Sequence, residues 1–212
     1  MTWSGNWSDT VTADPDVLHG PTSRKGVALM NRETNGKRSV EDAPNDLFKY
    51  AVDREDLKAL LEAFPNESPE VRSKVEYELQ ILKFIGVGWS ISYFLQDSPF
   101  KDQIAGEYWT AVHGLSQSIS SSAGMMVGKE IDYFRELRDR LDLYINALAK
   151  RLDAPEPAVI IGPEFAKICG SSDDIHTVMA GSKMFLVLLA AVKEYLETIE
   201  LLGTTRPQGI PH

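Results

Sequence analysis

From Ser172 to Leu202 the chain carries apolar residues at three- and four-residue steps: Ile175, Val178, Met179, Phe185, Leu186, Leu189, Val192, Leu196 and Ile199. That is the period of one face of an α-helix. At about 1.5 Å per residue such a helix runs roughly 45 Å, long for a soluble domain. It needs partners of matching length, and three upstream segments offer them.

Ser68-Pro69-Glu70 reads as a helix start, with serine as the N-cap, proline in the first turn and an acid facing the positive end of the macrodipole. From there Val71, Val75, Leu79, Leu82, Ile85, Trp89 and Tyr93 step by four or three, and Ile81, Phe84, Val87, Ile91 and Phe94 widen the stripe. A helix apolar nearly all round is buried on several sides, so this segment is expected to be central. Ser98-Pro99 repeats the start signal ahead of Phe100, Ile104, Tyr108, Val112, Leu115 and Ile119, and the pattern is lost in Ser120 to Gly124. The last of the three covers about Lys129 to Leu152 on Ile131, Phe134, Leu137, Leu141, Ile145, Leu148 and Leu152.

Two short helices complete the reading. In one, Asp53 is expected to cap Leu57, Leu60, Leu61 and Phe64, with Asp56 near the capping-box position and Pro65 ending the helix. The other covers Pro163 to Cys169 and is stopped by Gly170 at C′. Leu47, Phe48, Ala51 and Val52 form a lead-in, Asp153 to Pro157 reads as a linker, and only Ala158 to Ile161 looks strand-like. The expected fold is all-α: a bundle of four principal helices plus two short ones over residues 44–202. An extended or disordered arm covers residues 1–43, and a tail covers 203–212.

At 212 residues with 43% hydrophobic and 25% charged side chains, the chain suits one globular domain. Its net charge of −9 disfavours broad contact with nucleic acid or anionic lipid. The longest uninterrupted apolar run is Met184 to Val192, against about 20 residues needed to span a bilayer. With a single cysteine, Cys169, and no secretory signal, a cytoplasmic protein without a membrane span is expected.

Motifs with chemistry are few. Asp173-x-x-His176 is a single acid–histidine pair at a helix start, where the acid's ordinary role is capping. The four histidines are scattered and have no zinc spacing. Gly124-Met-Met-Val-Gly128-Lys129 has three residues between its glycines, not four, and Glu130 follows the lysine, so it is not a phosphate loop. Gly86-Val-Gly88 inside a helix implies close packing. Cys169 occupies an apolar helical position and reads as a buried thiol. No catalytic residue, metal ligand or cofactor follows from any of these.

Ala111-Val112-His113-Gly114-Leu115 loosely resembles the phosphorylated-histidine segment of histidine-phosphotransfer bundles. That family's pattern continues with a lysine and a glycine around the phosphoryl group, whereas this chain has Ser116 and Gln117, so the phosphoryl charge would lack its partner.

The expected function is therefore a non-catalytic interaction or assembly subunit, self-associating or bound to a protein partner. Trp3 and Trp7, four apart, are candidate partner contacts. Arg24, Lys25, Arg32, Lys37 and Arg38 form a basic stretch opposed only by Glu33. It carries no interleaved aromatics for base stacking, so nucleic acid is not an expected partner. The alternative is a small-molecule-binding or enzymatic bundle with an aromatic pocket lined by Trp89, Tyr93, Tyr108, Trp109 and His113.

Overall fold

A computed structural model describes residues 39–62, 68–127, 132–151 and 156–199. Several expectations lie outside those residues: Trp3, Trp7, the basic stretch, the stop at Pro65, Gly128-Lys129, the 153–155 part of the linker and the tail. Among the described residues the chain is all-α, with no strand. A 3₁₀ turn, Val40–Asp42, leads into α1 (Ala43–Val52) and α2 (Glu55–Leu61). Then follow α3 (Pro69–Phe94), α4 (Lys101–Val127), α5 (Tyr133–Ala149), α6 (Ala158–Cys169) and α7 (Ile175–Thr198). Four long helices thus form the bundle with three short ones, because the lead-in around Leu47 is itself helical.

The reason α3 is central is visible along its length. Residues 81–88 are buried without interruption, and α3 packs on every other helix. Ser68 caps it by accepting from the Val71 N–H at 3.3 Å. Its two glycines give close approach to side chains: a Cβ on Gly86 would run into Leu188 of α7, and one on Gly88 into the Trp109 indole of α4.

Three expectations are corrected. Serines 120–122 do not end α4. The hydroxyls of Ser116, Ser120, Ser121 and Ser122 each donate to the carbonyl four residues back, at 2.7 to 2.9 Å, so the polar run is accommodated within the helix. Ala158 to Ile161 is not a strand but the first turn of α6, with Pro163 inside the helix. Proline crowds the Cβ of the residue before it, and that residue is Gly162, which has none. The carbonyl that Pro163 leaves without its N–H belongs to Val159, on the exposed side. Finally, Asp53 accepts from Glu55 N–H at 2.9 Å and α2 begins at Glu55. Asp56 serves no capping box; it takes a lysine from α3.

Gly170 does end α6, at φ 77°. Ser171 N–H donates to the Ala166 carbonyl at 2.9 Å and Gly170 N–H to that of Lys167 at 3.0 Å, the paired bonds of a Schellman stop. The cap of α7 is Asp174, not Asp173: its carboxylate accepts from the His176 and Thr177 N–H groups at 3.2 and 2.8 Å. The Thr177 hydroxyl and these N–H groups hold the Asp174 carboxyl below the ordinary range.

Tyr50, Tyr108 and Tyr144 are buried, and burial raises each phenol well above its ordinary value; Tyr133 is raised too, for the same leading reason. A phenol with a raised folded pKa costs nothing below its unfolded value of about 10, where both states hold the proton. Above that pH the unfolded chain ionises first, so stability falls as pH rises toward the folded pKa. Each such tyrosine removes about 1.4 kcal/mol per pH unit in that window. We expect a steep alkaline unfolding transition above about pH 10. Absorbance of these phenolates should grow in with loss of helix by circular dichroism; ionisation of all of them in the intact fold would contradict the burial.

Candidate functional site

The helices α6 and α7 form an antiparallel hairpin held at small-residue contacts. The Ser182 hydroxyl donates to the Ala158 carbonyl at 2.9 Å. A Cβ on Gly162 would meet Ser182 Oγ and, at 2.6 Å, the Val178 carbonyl oxygen; one on Gly181 would meet the Phe165 ring at 2.8 Å. The backbones are close because these two positions have no side chain. That register brings Pro163 level with Met179, and Val159 level with Lys183.

The inner face of the hairpin buries Ile161 and Phe165 from α6, and Met184, Leu188, Val192 and Tyr195 from α7, against α3 and its neighbours. The outer face should then be polar, and over half its length it is not. Val159 is 52% exposed, Ile175 61% and Met179 44%. Pro163 is also exposed, and Leu186, Val187 and Ala190 continue the stripe half-buried. Ile175 and Met179, and then Leu186 and Ala190, are each four residues apart, and the two pairs are seven apart, so all four share one helix face, with Ser182 and Lys183 between the pairs. Lys183 interrupts the stripe between Met179 and Leu186, and Lys167 lies at its edge, paired with Glu164 at 2.6 Å. Among the described residues α7 is the one helix long and apolar enough to cross a membrane (mean hydropathy 1.8 over 18 residues), and half of that stretch is buried inside the bundle.

The five residues of the expected aromatic pocket lie on α3 (Trp89, Tyr93) and α4 (Tyr108, Trp109, His113). Trp89 and Tyr93 stack at 4.7 Å between centroids, Trp89 also lies 5.6 Å from Phe185, and Tyr93 meets Phe94 edge-on at 5.1 Å. Tyr108 is a core residue whose hydroxyl donates to the Phe84 carbonyl at 2.8 Å. Trp109 lies over Gly88 and meets Tyr108 edge-on at 5.4 Å. His113 is apart from them: it is exposed and sits edge-on to Phe134 of α5 at 4.6 Å.

Two buried charged nodes on α3 escape a periodicity reading. Glu78 is held by Arg140 of α5 in a two-pronged pair, Nε to Oε2 at 3.0 Å and a terminal nitrogen to Oε1 at 2.9 Å. The phenol of Tyr144 and the thiol of Cys169 adjoin this pair. Burial first, and then the Glu78 charge, push the thiol up to about 12, so Cys169 holds its proton at neutral pH and is no nucleophile there. Five residues on, the fully buried Lys83 donates to the Asp53 carbonyl at 2.9 Å and to Asp56 at 3.1 Å, with the Tyr50 ring 4.3 Å from its nitrogen. Gln80 adds a bond to the Ala51 carbonyl at 2.8 Å. Gln80 therefore satisfies a last-turn carbonyl of α1 and Lys83 that of Asp53 just beyond it, and together with Asp56 they tie α1 and α2 to α3. Burial lowers the Lys83 pKa, opposed by the charge of Asp56. The signal for one node is in the sequence: Lys83 is the one charged residue within the apolar stretch 79–95, whereas Glu78 stands among the charged residues that precede it.

Among the described residues no group of three or more histidine, cysteine or acidic side chains is placed to hold a metal ion. Compared with protein-family models, curated proteins and solved structures, the chain matches none.

Proposed function

We propose that this protein is a non-catalytic, cytoplasmic interaction or assembly subunit that binds a protein partner, a second copy included, through the outer face of the α6/α7 hairpin. The observation that carries the reading is the row of exposed Val159, Ile175 and Met179 on a hairpin whose backbones are locked together. An exposed apolar strip on a rigid element suits a docking partner: little ordering is required on binding, and methionine adapts to the opposing surface. The charged nodes on α3 are buried and paired, and we read them as parts that fix the helices relative to one another. The apolar character of α7 is read as that of a core helix with one sticky side.

The test is the mass of the purified protein in solution at several concentrations, together with capture on full-length bait from its native extract. A self-associated species, or a partner retained in stoichiometric amount, is the expected result. A strictly monomeric protein that retains nothing would overturn the proposal.

A further inference from the structure

The outer face of the hairpin matches itself along α7, and that match names an occupant. We propose that the face pairs with the same face of a second copy, two-fold and antiparallel. Met179 of each copy lies over Ile175 of the other, and Lys183 of each lies against Asp173 of the other. This rests on reading the face as a binding surface, and it commits that surface to one partner.

Two observations carry it. The first is the order of chemistry along the exposed stripe. Asp173 lies in the turn before α7, Ile175 and Met179 follow on its first turns, and Lys183 stands one turn farther on, all four exposed. From one end the stripe therefore runs acid, apolar, apolar, base. Reversed and laid on itself, it sets base against acid and apolar against apolar. A closed two-fold interface needs a surface that complements itself in this way. The carboxylate that caps α7 is that of Asp174, so the cap does not use Asp173.

The second is register. An axis midway between Ile175 and Met179 puts each over the other across the interface, with Lys183 opposite Ser171 of the second copy. Helix side chains lean toward the N-terminus of their own helix, and for Lys183 that is the direction of Asp173 in the other copy. On α6, level with the same axis, the exposed Pro163 faces the stem of Lys167, and lysine stems cover apolar surface while their charge stays in water. Size sets the strength. Over the 12 residues of α6 the face is roughly 18 Å long and, at two helices, roughly 20 Å wide. That is below the about 800 Å² per partner of a stable complex, so the pair is reversible and follows concentration. The net charge of −9 on each copy opposes the approach, but salt screens it beyond about 8 Å, and the contacts across the face are closer than that.

The experiment is sedimentation equilibrium of the full-length protein, of Lys183→Asp, of Asp173→Lys and of an equimolar mixture of the two variants, each with its melting temperature. Wild type should show a monomer–dimer equilibrium. Each variant alone sets like charges against each other twice, and its dimer should weaken at least tenfold with the melting temperature held. In the mixture the new aspartate of one chain meets the new lysine of the other, and the native pair forms on the opposite side. Dimerisation should then return to near the wild-type level. Folded variants that dimerise as wild type does, or a mixture that stays monomeric, would overturn the pairing. So would a wild type that is monomeric at every concentration. The reading of the face as a binding surface is tested apart from this: a monomeric wild type that captures another protein through Ile175 and Met179 would remove the second copy and leave that reading standing.

Discussion

Arg140→Ala is expected to lower the unfolding free energy by about 3 kcal/mol, and the melting temperature by roughly 10 °C for a chain of this size. The cost does not come from the strength of the ion pair. The Glu78 side chain is 3% exposed and the Arg140 side chain 23%, so most of the desolvation falls on the carboxylate. Removing the guanidinium leaves that carboxylate buried among Tyr144, Cys169 and the apolar wall of α3, with no cation on it. Chemical denaturation of both proteins at pH 7 checks the loss; a difference under about 1 kcal/mol would mean that the buried carboxylate does not depend on this guanidinium. Glu78→Gln/Arg140→Met, which removes both charges, should recover a substantial part of the loss.

Gly162→Ala is expected to destabilise the fold by about 2 kcal/mol, although alanine is ordinarily the better helix residue by nearly 1 kcal/mol. The reversal has two causes at one position. The new methyl would meet the Val178 carbonyl oxygen at 2.6 Å as well as Ser182 Oγ, and a backbone oxygen does not move aside like a side-chain end. Residue 162 also precedes Pro163 within a helix, where a Cβ crowds the proline ring. Gly106→Ala is the control: it lies mid-helix in α4 with nothing near its Cβ, and should be neutral or stabilising. Thermal unfolding of the two variants checks the pair. A stable Gly162→Ala protein would mean that the hairpin is not locked as described, and the rigid docking face would lose its support.

The long helices were legible because each carries its apolar residues at helical steps; α3 opens on a serine–proline pair that acts as written, whereas Ser98-Pro99 lies in the turn before α4 starts at Lys101. Gly170 was readable for the same reason, since a glycine after an apolar turn has one common use there. The misread elements share a physical origin in local preference overridden by context. Ala158 to Ile161 is β-branched and apolar, but a proline two residues on is tolerated once glycine precedes it and Val159 faces outward. The serine run near residue 120 looks like a turn until each hydroxyl is bonded to the preceding helical turn. Of the proposed docking face, the sequence displayed Ile175 and Met179 as part of one broad apolar stripe. Which part of that stripe faces outward depends on the direction from which α6 packs, and that is set by Gly162 and Gly181, residues whose contribution is an absence of side chain.

The central claim is that the outer face of the α6/α7 hairpin is where this protein meets its partner. The most direct measurement is capture from native extract, with solution mass alongside, for wild type and an Ile175→Glu/Met179→Glu variant, each with its melting temperature recorded. Both positions are exposed, so the variant should melt within a few degrees of wild type. The account predicts loss of the partner, or of self-association, at least tenfold in apparent affinity with the melting temperature held. Undiminished association by a folded variant would contradict it and move the interface elsewhere on the bundle.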